Sequence, residues 1–131
     1  MKIGITGTRS GMNIEQKMAV VDFLANHPTA ELHHGDCVGV DVEVAEIAAD
    51  LGLKTVCHPP VIASLRAFHE SDEVREPFSY FERNRHIVHE ADILLVIPWE
   101  DSPQPTGGTW YTHDFAKKVG KEFKVIYPNR H

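Results

Sequence analysis

The run ADILLVIPW, residues 91–99, constrains the fold more than any other stretch of the chain. Its apolar residues are consecutive rather than alternating, so a strand built from them is buried on both faces. A sheet with two covered faces needs helices above and below it, the arrangement of a parallel α/β protein. The rest of the sequence supplies the parts. Short β-rich runs at residues 2–6 (KIGIT), 30–34 (AELHH), 53–58 (LKTVCH), 92–97 (DILLVI) and 122–127 (EFKVIY) alternate with helical patterns. We expect the first helix from Asn13, with Asn13 and Gln16 as a capping box and Ile14, Met18, Val21, Leu24 and Ala25 at helical spacing. A second starts between Val38 and Asp41, carries Ala45, Ala48, Ala49 and Leu51, and stops at Gly52. A third covers residues 79–91 with Phe81, Asn84, Val88 and Ala91 along its inner stripe. The fourth runs from about Trp110 to Val119 with Thr112, Phe115, Ala116 and Val119 inward. Residues 61–78, irregular and rich in charge, read as a partly helical excursion and a lid.

These elements make one three-layer α/β domain over residues 1–131, a parallel sheet of about five strands in the order 3-2-1-4-5 with helices on both faces. In such sheets ligands bind beyond the carboxyl ends of the strands, where the strand order reverses. That crevice lies between the strands ending at Thr6 and Ile97, and the loops that follow them are GTRSG and PWEDSPQPTGGT.

Composition narrows the function. No apolar run approaches the roughly 18–20 residues of a membrane span, and the amino-terminal run is too short for a signal peptide, so the chain is expected to be cytoplasmic and off the membrane. A formal charge of −6 argues against a duplex-DNA binder. It leaves room for a small anion, held by a few arginines and backbone amides. The two cysteines, Cys37 and Cys57, show no CxxC pattern and are expected to be reduced. Among nine histidines, His33 with His34 and His86 with His89 are neighbours, but none has the spacing of a zinc motif. We expect neither a metal nor a cofactor.

Four stretches can carry chemistry. TGTRSG, residues 6–11, places Gly7, Thr8 and Arg9 at a strand-to-helix turn, where backbone amides and a guanidinium suit a phosphate. It matches neither GxGxxG nor GxxxxGK[ST]. In HHGDCVGVD, residues 33–41, Gly35 and Gly39 allow close backbone approach, and Asp36 and Asp41 can cap amides or accept ribose hydroxyls. In ERNRH, residues 82–86, Asn84 sits where an apolar residue is expected, flanked by Arg83 and Arg85, which either pair with acidic neighbours or aim at the crevice. TGGTWYT, residues 106–112, offers the amides of Gly107 and Gly108 and the Thr109 hydroxyl at a helix start; Trp110 or Tyr111 either packs or flanks a base or sugar. Pro98 joins the set at the end of the central strand.

Together GITGTRSG, HGDCVGVD, RNRHIVHEADILLVIP and GGTWYTHDFAKKVGKEFKVIYP resemble, in order, the signatures of the Rossmann-like core of DNA-processing protein A, within the wider SLOG/LOG superfamily. Gly35, Gly39 and Asp41 match its second signature, Arg83, Asn84 and Arg85 the third, and Gly108, Thr109 and Thr112 the fourth. The superfamily also holds nucleoside-monophosphate phosphoribohydrolases, whose glycine loop is followed by a catalytic glutamate. Tyr111 and Thr112 stand at those positions here. The resemblance implies a nucleotide-binding protein with Gly7, Thr8, Arg9, Gly35, Asp36, Gly39, Asp41, Arg83, Asn84, Arg85, Pro98, Gly107, Gly108 and Thr109 around the ligand. A nucleotide or nucleoside phosphate is the expected partner, with a homodimer left open and single-stranded DNA not expected. The alternatives are an N-glycosidase using a displaced carboxylate, Asp36 or Asp41, and an accessory in DNA processing.

Overall fold

The computed structural model describes residues 1–129; the last two residues of the expected domain lie outside the described residues. The elements follow one another as β1 (Lys2–Gly7), α1 (Ile14–Ala25), β2 (Glu31–His34), α2 (Val40–Asp50), β3 (Lys54–Cys57), a 3₁₀ turn (Ala63–Leu65), β4 (Glu73–Val74), α3 (Tyr80–Glu90), β5 (Ile93–Ile97), α4 (Gly108–Lys118) and β6 (Glu122–Val125). All strand pairs are parallel, in the order β4-β3-β2-β1-β5-β6. The expected five-strand order is present, extended by one strand. That sixth strand, β4, is two residues long and pairs Glu73 and Val74 with Val56 and Cys57 at the sheet edge. A polar edge strand of this length has no apolar period, so the sequence pattern carries no sign of it.

β5 explains its own composition. Ile93, Leu95 and Ile97 face a core shared with Ile3, Ile5, Leu32 and the inner sides of α1 and α2, including Val20, Leu24, Val44 and Ala48. Leu94 and Val96 face the opposite side, where Ile87, Val88 and Ala116 of α3 and α4 cover them. Both faces of one strand are dry, as the unbroken apolar run requires. β1 and β5 pair from Ile3↔Ile93 to Gly7↔Ile97, and the strand order reverses between them.

Three helix faces differ from expectation. In α1 the capping box forms as expected, Asn13 Oδ1 accepting from the Gln16 amide at 2.9 Å and Gln16 Oε1 from the Asn13 amide at 3.1 Å. However, the buried residues are Gln16, Val20 and Leu24, while Ile14, Met18, Val21 and Ala25 are exposed. Gln16 tolerates burial because its side-chain amide donates to the carbonyls of Pro98 at 2.9 Å and Ile126 at 3.0 Å. In α3, Asn84, Val88 and Ala91 are inside as expected, but Phe81 is half-exposed and Arg83 is buried in its place. In α4, which begins at Gly108 rather than Trp110, the buried residues are Trp110, Thr112 and Ala116, and Val119 faces out.

Residues 61–78 hold the 3₁₀ turn and β4 rather than an α-helix. They are stitched to the β2–α2 turn: the amides of Phe68 and His69 donate to the two carboxylate oxygens of Asp36 at 3.2 and 2.9 Å, and that of Ala67 to the Asp36 carbonyl.

Candidate functional site: the crevice at the strand reversal

The loops after β1 and β5 enclose a cavity of about 310 Å³ lined by Gly7, Thr8, Arg9 and residues 106–110, with Tyr80, Trp99 and Glu100. α4 starts here with no side-chain cap; Gly107 is its N-cap residue. Gly107 has φ +106 and a Cβ added to it would meet nothing within 4 Å, whereas one on Gly108 would strike the Tyr80 hydroxyl, so the helix start is open on the Gly107 side and walled by Tyr80 on the other. The first amides of a helix lack intrahelical acceptors and carry the positive end of its dipole. Arg9 is exposed; its guanidinium lies 5.8 Å from the Tyr80 ring centroid and makes no ion pair among the described residues. A guanidinium with no ion pair among the described residues and a helix start with no side-chain cap, set in one cavity, have the chemistry that can accept an oxyanion.

A second cavity of about 260 Å³ adjoins the first and shares Arg9 and Tyr80 with it. Its other lining residues include Cys37, Pro60, Ile62 and Leu65, and it is mainly apolar. Tyr80 therefore stands between a polar compartment and a greasy one.

Not every expected residue reaches these cavities. Arg83 turns inward and is 2% exposed. Its Nε donates to Asn84 Oδ1 at 2.7 Å, its Nη1 to the carbonyls of His58 at 3.0 Å and of Gly35, and its Nη2 to Cys37 Sγ at 3.8 Å. Asn84, the polar residue on the inner stripe of α3, fixes the arginine beside it. Gly35 is glycine for the same reason: a Cβ there would sit 2.6 Å from Arg83 Nη1. Gly39, with φ +90, packs against the Arg9 backbone, which a Cβ would strike at 2.4 Å. Arg85 lies on the α3–α4 side, donating to the Tyr111 hydroxyl at 2.9 Å. Pro98 is buried, its carbonyl taken by Gln16.

Both candidate aspartates are held below the surface. Asp36, at φ +57 and fully buried, receives Arg66 Nε at 2.8 Å besides the two loop amides. Asp41 accepts from the Cys37 amide at 3.3 Å. Burial pushes its carboxyl up to about 6, partly opposed by the Arg83 charge. Neither lines the crevice. The carboxylate that does is Glu100, whose Oε1 accepts the indole N–H of Trp110 at 2.9 Å. Trp110 itself is buried, as its packing role requires. Cys37 and Cys57 are free and buried; burial raises both thiols, Cys57 to about 12, so neither is a thiolate nucleophile at neutral pH.

Tyr80, Trp99 and Glu100 were not singled out from the sequence. Trp99 and Glu100 belong to the loop after the central strand, and their position past its carboxyl end was the available signal. Tyr80 gave none, since its place in the crevice depends on how α3 approaches α4.

No family model matches the chain, and no curated protein matches it in sequence. Among solved structures it is similar to the molybdenum cofactor binding protein of the phototrophic bacterium Rippkaea orientalis, with a TM-score of 0.75, 18% identity, and coverage of 96% of this chain and 76% of that one. It is similar to DNA processing protein A from Streptococcus pneumoniae, with a TM-score of 0.72 and 16% identity over 95% of this chain and 50% of the other. The Helicobacter pylori DNA processing protein A, described for its single-stranded DNA binding mode, gives 0.67 and 22% over 99% and 66%. The chain thus spans half to two-thirds of the DNA-processing proteins it matches. At these identities the likeness establishes the fold alone, a Rossmann-like parallel α/β sheet covered on both faces.

Proposed function

We propose that the chain binds a nucleoside phosphate or a closely related nucleotide-derived ligand at the β1–β5 crevice. The observation that carries this reading is the unpaired Arg9 guanidinium placed in one cavity with the uncapped start of α4. A phosphate would rest on the amides of residues 107–109 beside Arg9, and the base would enter the apolar compartment past Tyr80. Thermal melting with a panel of nucleoside mono-, di- and cyclic phosphates tests it. At least one should raise the Tm by mass action, and Arg9→Ala should remove the shift. If none raises it, the reading is wrong.

Two observations keep further readings in view. Glu100 puts a carboxylate in the crevice where Asp36 and Asp41 do not, which makes an N-glycosidase the second reading. Release of free base from a nucleoside monophosphate, abolished by Glu100→Gln, would support it; binding without release removes it. Trp99 is 46% exposed beside Arg9, and a neighbouring fold is known for single-stranded DNA binding, so an oligonucleotide is a second candidate ligand. A gel shift at low salt that shows no retarded species eliminates it.

A further inference from the structure

Away from the crevice, the α3 side of the sheet carries a polar cluster where β2 and β3 would otherwise need apolar cover. Glu31 and His33 alternate onto this face of β2, His58 follows β3, and Glu90 ends α3. His33 Nδ1 lies 2.8 Å from His58 Nε2, and Glu90 Oε2 lies 3.4 Å from His58 Nε2 and 3.9 Å from His33 Nδ1. Four ligands at 2.0–2.1 Å around a tetrahedral ion stand about 3.3 Å apart, and these three edges bracket that value.

We propose that His33, His58 and Glu90 bind a divalent transition-metal ion, zinc in the first instance, at the floor of a cavity distinct from the nucleotide crevice. Two features of the cluster support this beyond the spacing. Glu31 Oε1 sits 3.1 Å from His33 Nε2 and accepts the hydrogen bond of its N–H, which leaves the Nδ1 lone pair for the shared point. A carboxylate behind a ligating imidazole is the usual way that its tautomer and direction are fixed. Only one proton, on His58 Nε2, then separates an imidazole lone pair from a carboxylate oxygen, and a cation satisfies that convergence of donors better than a proton does.

Access and charge are compatible with the ion. The cluster opens into a cavity of about 310 Å³ whose lining includes His58, Arg75, Phe78, His86 and Glu90 and shares no residue with the β1–β5 crevice. Three protein ligands leave a tetrahedral ion its fourth position for a water or an exogenous ligand, and His58 and Glu90 line the cavity from which one would come. Of the two guanidiniums that line it, Arg75 is ion-paired with Glu73 and with the other oxygen of Glu90, and Arg83 is turned to the carbonyls of Gly35 and His58. His33, on β2, and His58, the residue after the adjacent β3, are 25 residues apart. No linear spacing announces them, which is why the histidine count alone pointed to no metal.

The test is titration of zinc, and separately cobalt(II), into the full metal-free chain by calorimetry, with the cobalt visible spectrum as a readout of geometry. One equivalent should bind per chain with micromolar affinity or better, raise the Tm, and give the spectrum of a four-coordinate nitrogen–oxygen site. His58→Ala should lose the site. Glu90→Gln and the positioning variant Glu31→Gln should weaken it by about tenfold or more. His89→Ala, exposed on the rim, should leave it unchanged. Glu90 is only partly buried, so its variant keeps the test decisive even where His58→Ala fails to fold. Absence of binding at micromolar zinc overturns the proposal, and so does affinity unchanged in Glu90→Gln, the result expected of scattered surface histidines.

Discussion

The carboxyl ends of β1 and β5 and those of β2 and β3 belong to one sheet and carry similar residues, yet they are finished in opposite ways. At β1–β5 the guanidinium of Arg9 is exposed, the helix start is uncapped and a glycine faces empty space. At β2–β3 the guanidinium of Arg83 is buried, its donors reach two carbonyls, an amide oxygen and a thiol, and Gly35 gives up its side chain to admit it. Asp36 and Arg66 repeat that pattern one loop away. A motif of glycines, arginines and aspartates therefore has two physical meanings. In one region it leaves polar groups without an internal partner among the described residues, and in the other it satisfies them internally and fixes the loops.

The contrast can be broken most forcefully at Arg83. Arg83→Met should destabilise by about 3–5 kcal/mol in denaturant unfolding, because the Gly35 and His58 carbonyls lose their donor and the buried Asp41 loses its nearby positive charge. A loss below 1 kcal/mol would mean that the inner network is not structural. Gly35→Ala should come next, at about 1–3 kcal/mol, since its Cβ has no room beside Arg83 and Asp41.

Acid titration sharpens the comparison further. His34 and His58 are held neutral, down to about 4 and about 3, and His33 is lowered too, all chiefly by burial. The unfolded chain takes up these protons as pH falls below 6.5, so their contribution to stability is lost from there downward. Asp41 acts in the opposite sense: its folded form is protonated first, near 6, so it favours the folded state as pH falls toward 3.8. Three histidines outweigh one aspartate, and urea midpoints should decline below pH 6.5. Asp41→Asn should make that decline steeper; an unchanged slope would show that Asp41 is ionised in the folded protein. The smallest stability effect belongs to Arg9→Ala, within about 0.5 kcal/mol of wild type, since the side chain gives up only its contact with Tyr80. An unfolding midpoint shifted by much more than this would place Arg9 among the structural arginines.

The same contrast explains what could be read from the sequence. β5 and the helix and strand alternation were legible because burial on two faces leaves an unbroken apolar run, and that run fixes layers and order. The crevice was legible because topology puts it beyond β1 and β5. Periodicity failed where a polar side chain finds partners inside. Gln16 and Arg83 are buried on the strength of hydrogen bonds that no hydropathy pattern records, and each displaces an apolar neighbour, Ile14 or Phe81, to the surface. The β2–β3 imidazoles were illegible for a related reason: strands far apart in sequence bring them together.

Gln16 also sets an order on the birth of the molecule. Its acceptors, the carbonyls of Pro98 and Ile126, lie 82 and 110 residues downstream, and Asn13 reaches the Pro128 carbonyl at 2.6 Å. A nascent chain thus carries a first helix whose inward amide has no acceptors until the last strand has emerged, and an amide buried in that state is costly. The polar contacts of α1 are therefore complete only when the residues that follow β6 are in place, which ties the two ends of the described chain together.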